Sequence, residues 1–179
     1  MLACAALGCG VGLVLSARLG SDGYSSLVNG VSHSSGLPYA FANWLIGLTA
    51  VALAWRRRVR PGPGTVVHPI VVGVSVNLML IALDPPTTML LRVAVLLAGV
   101  GLLAVGVAAY LATALGSGPL ESATIALRPV PFRVAYGTLQ AAGAVVGWAL
   151  GASIGVGTLV VVLGVGPLVT AIRTHLPGV

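Results

Sequence analysis

Two carboxylates are the side chains of this sequence that are best placed to do chemistry. Asp22 and Glu121 are two of only three acidic residues, and each follows a short break that contains a glycine, Gly20 in the first case and Gly116 in the second. Ionisable groups at membrane depth are costly and often functional, so each carboxylate is a candidate site for a proton or a cation. An acid in the first turn of a short helix can instead simply offset the helix dipole. Both interpretations stay open.

Four more polar side chains lie inside otherwise apolar runs. They are Asn43, His68, Asn77 and Gln140. Such side chains usually hydrogen-bond to a neighbouring membrane helix, which contributes about 1 kcal/mol each. The same groups can also hydrogen-bond a polar solute. Together with Asp22 and Glu121, they are therefore our candidate substrate-binding residues.

Two Gly-Thr pairs mark predicted helix starts. Gly64-Thr65 and Gly157-Thr158 each open a long apolar run. The glycine relaxes the backbone and the threonine caps the helix in the simpler interpretation. In the alternative, the N–H groups and the positive dipole ends of these helices point at a bound anion.

The remaining reactive residues do not form the pattern of an enzyme. The chain has three acids and three scattered histidines, without a nucleophile–base–acid set, a phosphate loop or a cofactor fingerprint. The histidines do not share the spacing of a metal site. Cys4 and Cys9 lie five positions apart in one apolar run, which indicates small packing residues. The sequence predicts no catalytic activity, no cofactor and no metal.

The composition predicts that a membrane surrounds the elements that position these residues. Of the 179 residues, 58% are hydrophobic and 7% charged, whereas a soluble domain has about 25% charged residues. The net charge of +6 comes from arginines, and four of them, Arg56, Arg57, Arg58 and Arg60, lie between two apolar runs. That is the position of a cytoplasmic loop, and no basic helix face suits nucleic acid. We predict a plasma-membrane protein that contacts lipid and not nucleic acid.

The apolar runs predict six transmembrane helices in a single membrane domain, residues 1–179. The spans are 2–17, 39–55, 66–83, 88–112, 134–152 and 158–172, and two short mixed helices occupy 20–36 and 119–127. The mixed stretches are too polar to span and fit interfacial or re-entrant helices. The first span is short for a bilayer, so either the helix is thinly embedded or, as we expect, the true start of the protein lies upstream of Met1.

The two halves of the chain resemble each other. At an offset of 96, Leu19-Gly20-Ser21 matches Leu115-Gly116-Ser117, and at an offset of 93, Trp55, Gly64-Thr65 and Gly73 match Trp148, Gly157-Thr158 and Gly166. We predict two repeats, residues 1–83 and 88–176. Each contains three spans, so the second is inverted relative to the first and both termini are cytoplasmic. Inverted repeats are typical of secondary transporters, whose sites lie near the midplane where helices are broken.

The second half also carries a family resemblance. Gly155-Val156-Gly157-Thr158-Leu159, followed by Gly166-Pro167-Leu168, resembles the C-terminal signature of the YczE/YyaS/YitT-type bacterial integral membrane proteins. The resemblance covers the whole chain and implies a small polytopic protein of the bacterial plasma membrane with an unassigned molecular activity. The chain departs from the family pattern at Gly23-Tyr24-Ser25, where Pro-Trp-Asp is frequent, and at Gln140, where an acid is expected.

Together these observations predict an all-α polytopic membrane protein that transports or conducts a small solute. The site would lie between the two breaks. The alternative is a membrane partner without transport activity, either an assembly factor or the substrate-capturing subunit of a multi-component importer. A homo-oligomer or a larger membrane complex is compatible with both functions.

Overall fold

The computed structural model describes residues 1–113, 116 and 118–175, apart from the side chains of Arg173 and His175. In this part of the chain the fold is all-α, with eight helices. They are α1 (Leu2–Ser16), α2 (Gly23–Ser35), α3 (Tyr39–Arg56), α4 (Pro63–Ala82), α5 (Met89–Ala112), α6 (Pro119–Ala126), α7 (Phe132–Ala149) and α8 (Val156–His175). Each predicted apolar run and each mixed stretch is a helix, with ends within three residues of those predicted.

Two of these helices are long and apolar enough to cross a membrane. They are α4, with 20 residues, and α5, with 24. At 1.5 Å per residue they are about 30 and 36 Å long, which matches the hydrocarbon core of a bilayer. α1 and the segment Val156–Ile172 of α8 are apolar but shorter. The fold thus supports association with a membrane through α4 and α5, and the other four spans stay a prediction.

Prolines set several helix starts. Pro63 and Pro119 are the first residues of α4 and α6, where the missing N–H would have had no helical partner. Pro38 and Pro131 stand directly before α3 and α7. A fixed φ at these positions favours the start of a helix and disfavours its extension backwards.

The Gly-Thr pairs lie at helix starts, but threonine is not the N-cap residue. Thr65 is the third residue of α4, and its Oγ1 accepts a hydrogen bond of 3.2 Å from the N–H of Gly62, the residue that precedes the helix. Thr158 does the same at α8, where its Oγ1 accepts from the N–H of Gly155 at 3.5 Å. Each threonine therefore reaches back to the chain that enters its helix.

α1 packs on both α4 and α5, and α5 in turn packs on α8. α1 and α5 touch through their backbones. A Cβ atom on Gly10 would lie 2.7 Å from the Cα of Leu103, and one on Gly106 would lie 2.6 Å from the Cα of Leu7. Because no side chain separates the two helices here, they approach closely, as small residues allow in membrane proteins.

The two short helices each lie along a longer one, α2 on α7 and α6 on α3. Gly23, the first residue of α2, contacts Gln140, and a Cβ on Gly30 would lie 2.8 Å from the Cα of Gly147. α2 therefore starts halfway along α7 and runs parallel to its second half. α6 likewise starts halfway along α3, where a Cβ on Gly47 would lie 3.4 Å from the Cγ of Pro119.

Parts of the predicted second break and second repeat lie outside the residues that the structure describes. Leu115 and Ser117 of the second break, and Leu176 at the end of the second repeat, lie outside the described residues.

Candidate functional site

The starts of α2 and α6 lie halfway along α7 and α3, respectively. Gly47 lies between them, because a Cβ there would be 3.1 Å from the hydroxyl of Tyr24 in α2 and 3.4 Å from the Cγ of Pro119 in α6. The positive ends of two helix dipoles thus approach the same small region. Each of the two predicted carboxylates lies at one of these helix starts.

Asp22 caps α2. Its Oδ2 accepts a hydrogen bond of 3.1 Å from the backbone N–H of Ser25, and its Oδ1 accepts one of 3.3 Å from the hydroxyl of Ser21. A carboxylate at this position satisfies a free helical N–H and offsets the dipole. Asp22 therefore has a structural role as the cap of α2, and each of its oxygens keeps acceptor capacity for a further donor.

Glu121 lies in the first turn of α6 and faces α4. A Cβ on Gly118 would collide with Oε2 of Glu121 and would lie 3.8 Å from the Cε1 of His68. The carboxylate and the imidazole are therefore neighbours. The ring of His68 also packs on that of Tyr110, with centroids 4.8 Å apart at 60°, and the Tyr110 hydroxyl donates to the carbonyl of Gly116 at 2.8 Å.

Gln140 joins α7 to the start of α2. Its Oε1 accepts a hydrogen bond of 3.0 Å from the backbone N–H of Tyr24, and its Nε2 donates to the hydroxyl of Tyr136 at 3.3 Å. This is the interhelical bonding expected of a polar residue in a membrane helix. The Gln140 side chain therefore holds the first turn of α2 against α7.

Tyrosines surround the two carboxylates, and sequence reasoning missed all of them. The chain has four, Tyr24, Tyr39, Tyr110 and Tyr136. Tyr24 and Tyr136 lie within electrostatic range of both Asp22 and Glu121, Tyr39 within range of Asp22, and Tyr110 within range of Glu121. Their positions in the sequence were not a signal, because Tyr24 lies in the mixed stretch 20–36 and Tyr136 lies two residues inside the predicted span 134–152.

Three polar atoms in this region are buried and have no hydrogen-bond partner among the described residues. They are the hydroxyl of Tyr24, Oδ1 of Asn43 and Nδ1 of His68. Asn43 is 1% exposed, and its Nδ2 donates to the carbonyl of Pro69 at 2.6 Å. Buried polar groups are normally paired, so three unpaired atoms close to residues 68 and 69 mark a place where a polar ligand or water can bind.

We call this set of residues the central polar cluster: Asp22, Tyr24, Asn43, His68, Glu121, Tyr136 and Gln140. It contains five of the six predicted substrate-binding residues. The sixth, Asn77, lies nine positions beyond His68 on α4, about 14 Å along the helix axis. Asn77 is partly exposed and makes no hydrogen bond within the described part of the chain. The cluster therefore does not include it.

The glycine breaks contact the Gly-Thr helix starts across the molecule. Gly20, with φ of +105°, lies against Thr158 and Gly155, and Gly116, with φ of +132°, lies against Thr65 and Gly62. Glycine is required at both positions because of this φ. Gly64 and Gly157 are buried at the same helix starts.

An apolar cavity of about 230 Å³ adjoins the cluster. It lies between α2 and α7 on one side and α3 and α6 on the other. It is lined by Tyr24, Leu27, Ile46, Ala50, Leu120, Ala123, Leu139, Ala142, Gly143 and Val146. Tyr24 belongs to both the cavity and the cluster, so a solute in the cavity would lie beside the polar groups.

Neither carboxylate of the cluster has a basic partner in the part of the chain that the structure describes. Across the same residues no group of three or more His, Cys, Asp or Glu side chains could hold a metal ion. Cys4 and Cys9 are both free thiols. A carboxylate without a basic partner keeps acceptor capacity for a hydrogen-bond donor or a cation.

Comparison with known proteins places the chain in a family but does not assign an activity. The model of a family of unknown function, DUF6198, matches residues 1–174. The chain belongs to this family. A Haemophilus influenzae protein described as uncharacterized is similar to it, with 28% identity over 173 residues, which cover 94% of this chain and 79% of that relative. No solved structure matches the chain. The DUF6198 match includes both short helices and the whole central polar cluster.

Proposed function

We propose that this protein is a small-solute transporter or permease of the bacterial plasma membrane, and not an enzyme. One observation carries the proposal: two short helices, α2 and α6, begin halfway along α7 and α3, with Asp22 capping α2 and Glu121 in the first turn of α6. Broken or short helices whose ends meet inside the membrane form the substrate and ion sites of many secondary transporters. The resemblance to YczE/YyaS/YitT-type membrane proteins supports the location in the bacterial plasma membrane and assigns no activity.

Repeat symmetry supports an arrangement of six spans in two inverted units. The contact of Gly20 with Thr158 has its counterpart in the contact of Gly116 with Thr65. At the offsets of 96 and 93 these residues correspond to each other. The glycine break of each unit thus contacts the start of the last helix of the other unit. A two-fold axis in the membrane plane would generate these paired contacts.

The apolar cavity lies where that axis would pass. Its lining residues Tyr24, Leu27, Ile46 and Ala50 correspond, at the same two offsets, to Leu120, Ala123, Leu139 and Gly143, which also line it. A cavity lined by both inverted units would lie near the midplane by symmetry. It is therefore our candidate position for the apolar part of a solute, with the polar part at the central polar cluster.

The proposal is tested by a ligand screen on the protein in detergent. A ligand present at 100 times its Kd stabilises the folded state by about 2.7 kcal/mol, which raises Tm by several degrees. We expect a metabolite or ion that stabilises the wild type and no longer stabilises Glu121→Gln. Asp84→Asn is the matched control, because Asp84 is the third acid and is exposed outside the cluster.

Transport then needs a second measurement, uptake or counterflow of the same compound in proteoliposomes. Uptake that Glu121→Gln abolishes supports a transporter. A ligand that binds but is never moved, together with co-purification of a larger complex, supports the alternative of a substrate-capturing subunit or assembly factor. If Glu121→Gln and Asp84→Asn respond to every ligand as the wild type does, the site assignment is wrong.

A further inference from the structure

A polar cleft of about 390 Å³ opens at the end of the bundle that is opposite the four clustered arginines. α4 leads away from those arginines, and its last residues line the cleft together with the end of α1, one face of α2 and the α7–α8 connection. The lining residues are Leu15, Ser16, Arg18, Gly20, Ser26, Asn29, His33, Leu80, Leu83, Pro85, Gly151 and Ser153. The size suits a small molecule, for which pockets of about 300–1,000 Å³ are usual.

The cleft presents hydrogen-bond donors and one permanent positive charge. The hydroxyls of Ser16 and Ser26 donate to backbone carbonyls and are occupied. The side chains of Arg18, Asn29 and Ser153 make no hydrogen bond within the described chain. None of the residues that line the cleft is acidic. Asp84 stands between two of them in sequence but is exposed and does not line the cleft.

Arg18 holds its position at a conformational cost. Its φ is +55°, in the left-handed region, directly after the last turn of α1. Glycine usually occupies this position, and another residue there is less stable by roughly 1–2 kcal/mol. A glycine would make the same turn without the cost but without a guanidinium. Non-glycine residues in this region cluster at binding sites, where the strain is retained for function.

We propose that the cleft binds a small oxyanion, a carboxylate or phosphate group, through the guanidinium of Arg18. The planar guanidinium donates two parallel hydrogen bonds to such groups, and Asn29 and Ser153 add neutral donors around it. The oxyanion belongs either to a free solute or to the headgroup of an anionic lipid. The site is separate from the central polar cluster and does not depend on transport.

The test measures the thermal unfolding of the purified protein in detergent, with inorganic phosphate against sodium chloride at equal ionic strength. We expect phosphate to raise the Tm of the wild type and to lose this effect in Arg18→Gln, with an affinity at least fivefold weaker. Arg92→Gln is the matched control, because it removes the same charge from the same end of the molecule and Arg92 does not line the cleft. It should keep the full response.

A second variant separates binding from folding. Arg18→Gly removes the guanidinium and also relieves the unfavourable φ, so it should have a higher Tm than the wild type without phosphate and no response to it. Nanodiscs of phosphatidylglycerol and of phosphatidylcholine identify the source of the oxyanion. Stabilisation by phosphatidylglycerol alone, dependent on Arg18 and without an effect of phosphate, assigns a lipid headgroup. Equal responses in the wild type and both Arg18 variants, or no response in any of them, would overturn the proposal.

Discussion

The helix pairs α3–α4 and α7–α8 have the same lengths and pack differently. α3 and α7 have 18 residues, α4 and α8 have 20, and six residues connect each pair. α3 lies against α4, and a Cβ on Gly73 would be 3.2 Å from the Cα of Ala40. No comparable packing joins α7 to α8 among the described residues. A Cβ on Gly137 or Gly166 would meet nothing within 4 Å.

Because the helix lengths and the connections are equal, the side chains between the helices must distinguish the pair that packs together from the pair that does not. Asn43 and Trp44 of α3 donate hydrogen bonds to the backbone carbonyls of Pro69 and Ile70 in α4. At the offset of 93 their counterparts in α7 are Tyr136 and Gly137, and neither donates to α8. Under the proposed repeat, the two pairs represent a closed and an open packing of one unit. Inverted transporters exchange such packings between their halves.

The largest effect should come from filling the contact between α3 and α4. Gly73→Leu puts a side chain where Ala40 and Asn43 already lie, and overpacking of this kind costs about 1–3 kcal/mol. We expect a fall in Tm of several degrees, measured by tryptophan fluorescence in detergent. Gly166→Leu is the control at the open pair and should cause no loss. Equal losses in the two variants would mean that α7 and α8 are packed as tightly as α3 and α4.

A smaller effect should follow from removal of the bond between Asn43 and Pro69. Asn43→Ala loses one buried hydrogen bond and leaves the Pro69 carbonyl without this donor, which costs roughly 1–2 kcal/mol. Asn77→Ala is the control, since Asn77 is the same residue type on α4 and makes no hydrogen bond within the described chain. Chemical denaturation of both variants checks the difference. A loss as large in Asn77→Ala would contradict the assigned role of Asn43.

The smallest effect should come from Trp44→Phe. The Trp44 Nε1–H donates to the Ile70 carbonyl at 3.3 Å near the surface, so its loss should cost about 0.5 kcal/mol. Trp148→Phe is the control on α7, where the indole is 65% exposed and makes no hydrogen bond to a described residue. If the Tm shift of Trp148→Phe equals that of Trp44→Phe, the hydrogen bond of Trp44 does not contribute to the difference between the two helix pairs.

The sequence was sufficient for the helices but not for their partners. Hydropathy, with prolines such as Pro63 and Pro119, located each helix to within three residues, because these signals are local. The sequence did not indicate that Thr65 would cap α4 from its third residue, by accepting a hydrogen bond from the N–H of Gly62. It also gave no sign that α7 and α8 would stay apart while α3 and α4 closed.

The candidate site was predicted in composition and not in geometry. Asp22 and Glu121 stood out because acids are rare in this chain, and the structure places one at the start of α2 and the other at the start of α6. The tyrosines around them were missed because an aromatic residue in an apolar run resembles core packing or an interfacial anchor. Asn77 was predicted only because it is a polar residue in an apolar run. The nine positions between it and His68 on α4 place it about 14 Å away along the helix axis, outside the cluster.

The starts of α2 and α6, halfway along the long helices, have an electrical consequence in a bilayer. If α3 and α7 span the bilayer as proposed, a cation that reaches Asp22 or Glu121 from either face would cross roughly half of the transmembrane voltage, which is worth about 1.2 kcal/mol for each 100 mV. This changes its affinity by about sevenfold. In an energised cell, negative inside, the field would draw a cation to this depth from the outside without any concentration gradient, and the occupancy of the two carboxylates would follow the cell's voltage.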